Sequence, residues 1–256
     1  MAMWKFGCAA LAWTFGVCAA LSTPAIACGG GPEEPVYRAL SVSGGDMTRN
    51  ADEAYTGVYY AFNGDLSREG FIVRLFGTRG FYDYSNGIPN DGNYWQGDVM
   101  VGYQWVRGRV DIGVYVGVDY QSYDLAAPDP LNKLNGDETG FKVMFDLESN
   151  DRSSTPWYVA LNGAYSTAFD TYHALGRVGY NFGRFIVGPE AWALGDVTGD
   201  GQRLGAFIQF EVPIGYRTTG TLALSAGHQF GDDNIVGKGF DNGAYGTVSF
   251  RIPMGR

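Results

Sequence analysis

The sequence is short of cysteine, of histidine and of positive charge, and it has little sustained hydrophobicity. Its three cysteines are Cys8, Cys18 and Cys28. The first two fall in a stretch that reads as a secretory leader: Lys5 supplies a positive start, Phe6–Leu21 an apolar run, and Ala25-Ile26-Ala27 a small-residue cleavage site. Residues 1–27 are therefore expected to be a cleaved signal peptide, and 28–256 a single mature domain. At most Cys28 survives, so no disulfide framework is available even in an oxidising compartment. Ala25-Ile26 makes a poor lipidation box before Cys28, so ordinary cleavage is the expectation. The two histidines, His173 and His228, with no cysteine partners, give no zinc ligand set. Lys and Arg number 18 against 27 Asp and Glu, a net charge of −9, which argues against a nucleic-acid partner because phosphate binding needs a basic face. After Ala27 no apolar run is long enough for a transmembrane helix, which needs about 20 residues. Any membrane role must come through strands.

What the sequence has in quantity is glycine (39 residues) and aromatics (15%). Aromatic side chains suit the pleat of a strand, and glycine serves turns and close packing. About twelve strand-like segments follow one another, near 36–46, 54–63, 70–83, 94–106, 109–124, 137–148, 156–168, 171–182, 185–194, 202–213, 219–230 and 242–253. No amphipathic helix, linker or break in composition interrupts them. Alternation is clearest in "RVDIGVYVGVDYQSYDL" (Arg109–Leu125), where Val110, Ile112, Val114, Val116, Val118 and Tyr120 share one parity, and Asp111, Gly113, Tyr115, Gly117, Asp119 and Gln121 the other. Trp95, Val99, Val101, Tyr103 and Trp105 likewise oppose Gln96, Asp98, Gly102 and Gln104. Phe141, Val143, Phe145 and Leu147 oppose Lys142, Asp146 and Glu148. Leu204, Ala206, Ile208, Phe210 and Val212 oppose Gly205, Gln209 and Glu211.

Alternation alone does not say which face is inward, and a soluble sandwich alternates too. Two further signals favour a membrane barrel. Connections near 63–70, 107–108, 150–155, 183–184 and 215–218 are mostly shorter than those near 46–53, 84–93, 125–136, 168–171, 195–201 and 231–241, although 168–171 breaks the pattern. Short turns on one side and long loops on the other are expected of outer-membrane barrels. Aromatics also gather near strand ends, as interfacial girdles do. Tyr59, Tyr60, Phe62, Tyr103, Trp105, Trp157, Tyr180, Phe182, Phe185 and Phe250 lie near one end. Tyr82, Tyr84, Tyr94, Trp95, Tyr120, Tyr123, Phe169, Tyr172, Trp192, Phe230 and Tyr245 lie near the other. The expectation is an all-β, closed antiparallel outer-membrane β-barrel of about twelve strands, with both termini periplasmic.

On that reading the valine face meets lipid, and the opposite parity places Arg74, Asp98, Asp111, Tyr115, Asp119, Gln121, Lys142, Asp146, Arg177, Glu190, Gln209 and Glu211 in the lumen. They form either a polar path that contacts solute or an ion network that fills a narrow barrel and fixes its shape. For sugar contact, Tyr115, Asp119, Gln121, Asp98 and Glu190 come first. No catalytic residues are assigned. Ser225 and His228 have opposite parities, and Ser166 and His173 face each other only across a short turn, so a hydrolytic triad is not established. "DVTGDG" (Asp196–Gly201) resembles part of a calcium loop, but Phe207 stands where the bidentate glutamate would be. The acidic loops at Pro128–Glu138 and Gly231–Asn234 read as solvated turns. Neither a metal nor a cofactor is expected.

Several stretches taken together resemble the bacterial cellulose biosynthesis protein BcsS family: "YYAFNGDLSREGFIVRLFG" (Tyr59–Gly77), "WQGDVMVGYQWV" (Trp95–Val106), "VGVDYQSYDL" (Val116–Leu125), "GDETGFKV" (Gly136–Val143), "AYSTAFDTYHALGRVGYNFGRFIVGPEAWALG" (Ala164–Gly195) and "QRLGAFIQF" (Gln202–Phe210). The resemblance implies an exported protein tied to making or exporting β-glucan. Its expected partners are outer-membrane lipid and either β-glucan (cellulose) or cellulose synthase components. It supplies no catalytic residues. The ending "SFRIPMGR" departs from general barrel practice, since Phe250 lies six residues short of the C-terminus. The alternatives in function are a small-solute channel unrelated to cellulose and an outer-membrane lipid hydrolase.

Overall fold

The structure, a computed structural model, describes residues 36–85, 89–150, 155–215, 218–231 and 240–255. The expected signal peptide and Cys28 lie outside the described residues. Twelve strands follow in chain order: β1 (Ala39–Met47), β2 (Ala51–Ala61), β3 (Gly70–Ser85), β4 (Pro89–Arg107), β5 (Val110–Leu125), β6 (Gly136–Ser149), β7 (Trp157–Ser166), β8 (Tyr172–Asn181), β9 (Phe185–Asp196), β10 (Gly199–Pro213), β11 (Thr219–Gly231) and β12 (Gly243–Met254). Each pairs antiparallel with its chain neighbours, and β1 pairs with β12 from Ala39↔Met254 to Met47↔Gly246, which closes the barrel. The expected segments match these strands to within a few residues at each end. Pairing of the first strand with the last puts both ends of the barrel sequence at the same rim, called here the terminal end; the opposite rim is the far end.

A sandwich would require a second sheet over the valine stripe. None exists among the described residues. The register instead aligns that stripe with its neighbours in rows around the outside: Val99 beside Val118 beside Phe141, Val101 beside Val116 beside Val143, and Tyr103 beside Val114 beside Phe145. Val118 is 57% exposed and the next residue, Asp119, is 1% exposed. This alternation fits an apolar solvent outside and a polar interior. A sheet in hydrocarbon must leave no unpaired backbone group, and closure meets that condition.

Two expectations need correction. The asymmetry of loop length is not present. The terminal-end connections 62–69 and 150–156 are longer than the far-end connections 48–50, 86–88 and 197–198. At the far end the strands continue as paired hairpins: β3 and β4 stay in register out to Ser85↔Pro89, and β9 and β10 out to Asp196↔Gly199. The calcium-like loop is one of these turns. Asp196 Oδ1 accepts from the Thr198 backbone N–H at 2.7 Å and closes it.

The aromatic girdles are also only partly as expected. At the terminal end Trp157, Tyr180, Phe182 and Phe185 form an outward chain of ring contacts with centroids 4.9–5.6 Å apart. At the far end Trp95 packs outward on Tyr120 at 4.7 Å. By contrast Tyr82, Tyr84, Tyr94 and Tyr123 turn inward and are buried around Leu134 of loop 126–135. Tyr59 and Tyr245 also face the interior, one bonded to Arg74 and the other to Glu190. Parity decides this: Tyr59 shares its side of β2 with Glu53 and Tyr55, and Tyr94 shares its side of β4 with Gln96 and Asp98.

Inward glycines explain how so many rings fit inside. A Cβ at Gly57 would meet Phe76, at Gly44 Tyr55, at Gly80 Tyr94, and at Gly102 or Gly113 Tyr115. Each ring lies over a bare stretch of a neighbouring strand. The hairpin glycines have a second role. Gly108 and Gly183 occupy the first central position of two-residue turns with φ of +61° and +89°.

Replacing Val116 with Arg puts a charge into the outward row near mid-height and should cost about 2–4 kcal/mol. Urea titration of the barrel in phospholipid vesicles, read by heat-modifiable gel mobility, should show that loss for Val116→Arg and a near-wild-type midpoint for Val116→Leu.

Candidate functional site: a charged, capped lumen

Both mouths are narrowed by local chain folding. At the terminal end, loop 62–69 tucks Leu66 toward the interior. Its N–H donates to Tyr37 O at 2.8 Å, and its carbonyl accepts from Gln104 Nε2 at 2.8 Å. Leu66 packs on a buried cluster of Ile72, Met100, Tyr115, Met144 and Ala164. The loop is held by Asp65, which accepts from both the Ser67 hydroxyl (2.6 Å) and the Ser67 N–H (2.9 Å). The Ser67 hydroxyl bond, followed by the backbone bond and the Arg68 charge, lowers the Asp65 carboxyl below its ordinary value against the opposing effect of burial.

At the far end, loop 126–135 inserts Leu134 among the tyrosines. Tyr84 OH donates to Asp129 at 3.0 Å, and Asn90 Nδ2 donates to Ala127 O at 2.9 Å. This acidic loop is a partial cap and not simply a solvated turn. The short β7–β8 connection folds inward as well. Ala168 is fully buried, and Phe169, held at φ 50°, sets its ring edge-on to Tyr123 at 5.0 Å. That left-handed backbone is costly for a bulky residue. It is held by Gln121, which donates to Thr171 Oγ1 at 2.7 Å and Ala168 O at 3.3 Å, and by the Phe169 N–H, which donates to Glu138 at 2.9 Å.

Between the caps lies a cavity of about 580 Å3. Arg74, Asp98, Asp111, Tyr115, Lys142, Asp146 and Arg177 line it, as parity suggested. Asp119, Gln121, Glu190 and Gln209 also point inward but are sealed in the wall, each no more than 3% exposed. Glu211 lies exposed, beyond the cavity lining. The structure therefore separates residues that had looked equivalent.

The charges are densely paired. Asp98 accepts from Arg74 and, at 2.8 Å, from Lys142 Nζ, which also lies 3.9 Å from Asp119. Glu190 is the most heavily bonded. One oxygen takes Arg177 at 2.8 Å and Ser225 at 2.9 Å, and the other takes Tyr245 at 2.8 Å and Trp192 Nε1 at 3.1 Å. Arg203 on β10 reaches Asp46 on β1. Asp146 accepts from Asn162 Nδ2, whose Oδ1 lies 2.8 Å from His173 Nε2. The histidine thus sits in an Asp–Asn–His chain, while the Ser166 hydroxyl accepts from the Ala168 N–H at 3.1 Å.

One pair differs in kind. Arg251 on β12 bonds Glu148 on β6 at 2.7 Å, and these strands are six apart in a ring of twelve. The pair spans the lumen as a chord. Its side chains are 35% and 33% exposed, whereas those of the other lumenal pairs are 14% or less.

The sequence reading missed Asp46, Glu53, Tyr55, Trp192, Arg203 and Arg251. Arg203 and Arg251 were open to the same parity rule, two positions before Gly205 and two after Ser249. The pairing of Arg251 with Glu148 was not, because it depends on barrel diameter.

Removing one partner of a fully buried pair strands the other. Glu190→Ala should cost about 3–5 kcal/mol, whereas Glu69→Ala, which breaks the exposed Arg107 pair, should cost less than about 1 kcal/mol. Parallel urea titrations in lipid vesicles measure the contrast.

Comparison with known proteins places these features in context. No curated protein sequence matches the chain. Solved structures with similar barrels include a KdgM porin in complex with disordered oligogalacturonate (10% identity, 84% of this chain and 99% of that one, TM-score 0.46). Others are the translocator domain of autotransporter NalP from Neisseria meningitidis (10%, 87% and 90%, TM-score 0.47) and the Acinetobacter baumannii outer membrane protein Omp33 (10%, 86% and 99%, TM-score 0.39). The sequence model of cellulose biosynthesis protein BcsS matches residues 40–254, which is nearly the whole described barrel, and the chain belongs to that family.

Proposed function

We propose that this protein resides in the bacterial outer membrane, with both termini periplasmic, and supports production of cellulose or a related exopolysaccharide at the cell surface without itself catalysing a reaction. The observation that carries the reading is the family match across the strands from β1 to β12. The outward apolar rows supply the lipid-facing exterior such a location requires. Candidate partners are outer-membrane lipid, β-glucan and components of a cellulose synthase.

Within that role, accessory action fits the lumen better than free passage of polymer. Leu66 and the Tyr82–Tyr123 cluster narrow the two ends, and the Arg251–Glu148 chord crosses between opposite walls. The small-solute channel is the second reading, favoured by the cavity lining that continues from Leu40 and Leu66 to Thr48 and Asp196.

Two measurements bear on this. Deleting the gene in a cellulose-producing host should lower surface glucan, with restoration on complementation. Polymer trapped in the periplasm would mark an export role, a uniform fall would mark support of synthesis, and unchanged polymer would remove the cellulose link. In planar bilayers the wild-type barrel should conduct weakly, and the double variant Arg251→Ala, Glu148→Ala should conduct several-fold more. Equal currents would show that the chord does not limit passage.

A further inference from the structure

We infer that the lumen holds a binding site for a short, uncharged β-linked gluco-oligosaccharide, gripped between an aromatic platform on β2–β3 and Trp192 on β9. The site deepens the glucan reading above and takes its choice of sugar from it. The platform consists of Tyr55 and Phe76, stacked with centroids 5.6 Å apart and planes 23° from parallel. Phe76 rests over Gly57 and Tyr55 over Gly44, where any side chain would collide with the rings, so both lie against the wall. The Arg74 guanidinium lies over the Phe76 ring, 4.2 Å from its centroid, and fixes that ring in place. Both rings are half-buried and line the cavity, as does Trp192. Strands β3 and β9 are six apart in the closed ring, so Trp192 projects from the wall opposite Phe76. The Trp192 indole N–H is fixed on Glu190, which orients the ring.

This arrangement selects a ligand class. A β-glucose ring carries its hydroxyls around its equator and presents C–H hydrogens on its two faces, which suit aromatic surfaces. The equatorial hydroxyls need hydrogen-bonding groups at the sides, and Glu53, Gln96 and Asn162 are on the lining. A cavity of about 580 Å3 falls within the size range of small-ligand sites, about 300–1,000 Å3, and suits a short oligosaccharide.

Charge excludes acidic sugars. Every described cation on the lining is already paired with a carboxylate: Arg74 and Lys142 with Asp98, Arg177 with Glu190, Arg203 with Asp46, and Arg251 with Glu148. Carboxylates outnumber cations among the described lining residues. A uronate would meet net negative potential. The Arg251–Glu148 chord lies across the same cavity and favours retention of the ligand over axial transit.

The test is isothermal titration of the full mature barrel in detergent with cellotriose and, separately, trigalacturonate. Saturable binding of cellotriose, no binding of trigalacturonate, and at least tenfold weaker cellotriose binding in Tyr55→Leu and in Trp192→Leu are expected. Each variant is checked for folding by heat-modifiable gel mobility, and the two substitutions lie on opposite walls, so one misfolded variant leaves the other informative. Absence of saturable cellotriose binding, equal binding of trigalacturonate, or unchanged affinity in a folded variant would overturn the site. The outcome is separable from the cellular role. If deletion lowers surface glucan while cellotriose fails to bind, the site is wrong and the role stands. If cellotriose binds while deletion leaves glucan unchanged, the role is wrong and the site stands.

Discussion

The pairing of β1 with β12 is the constraint on which the remainder depends. In hydrocarbon an open sheet edge leaves backbone N–H and C=O groups with no partner, each costing several kcal/mol. Nine residues of β1 are paired with β12 on one side and with β2 on the other, so neither terminal strand is an edge. Once the ring is closed, side chains have only two environments. Outward parity meets an apolar medium, and inward parity meets a confined interior. Val118 and Asp119 are adjacent in sequence and opposite in environment for this reason alone.

Closure also creates a filling problem. A barrel of this size has an interior that side chains must occupy without strain and without leaving charges unpaired. Two devices solve it. Glycine on one strand makes room for an aromatic ring from the next, as at Gly57 with Phe76 and Gly80 with Tyr94. Carboxylates and cations neutralise each other locally, as at Arg177 and Glu190, where Ser225, Tyr245 and Trp192 take up the remaining acceptor capacity. Buried pairs of this kind contribute little net stability compared with an apolar core, but losing one partner is costly. They act by fixing the shape of the lumen more than by holding the barrel together.

The strand pattern was legible in the sequence because a barrel strand has a two-residue period and an environment that changes sharply between its faces. That rule identified Arg74, Asp98, Lys142 and Arg177 as inward residues without any structure. It did not distinguish the two fates of inward residues. Asp119 and Gln121 are sealed behind the β7–β8 turn, while Asp98 and Asp146 border open space, and the difference arises from a loop that folds back over Gly140. Tyrosines near strand ends were ambiguous for a related reason. Tyr94 and Trp95 are neighbours at the same height, one inside and one outside, so position along the strand suggests a girdle for both and only parity separates them. Loop lengths misled because the far-end hairpins continue past the height where a membrane turn was expected. The Arg251–Glu148 chord was beyond reach, since it joins residues from opposite walls whose distance is set by strand number and tilt.

These features bear on how a narrow barrel can act on a polymer. A conduit for a glucan chain would keep its axis open and carry its sugar-binding groups in a repeated track. Here the axis is crossed by a salt bridge between opposite walls, and the aromatic surfaces are gathered on β2–β3 and β9 within one chamber. The most exposed of the lumenal ion pairs is the one across the axis, while the most heavily hydrogen-bonded, around Glu190, holds the wall that carries Trp192. The wall that carries Trp192 is therefore held by a sealed network, and the pair that crosses the axis is open to the cavity. That distribution is consistent with the proposed retaining chamber, because a ligand held by preorganised walls loses little affinity to wall rearrangement.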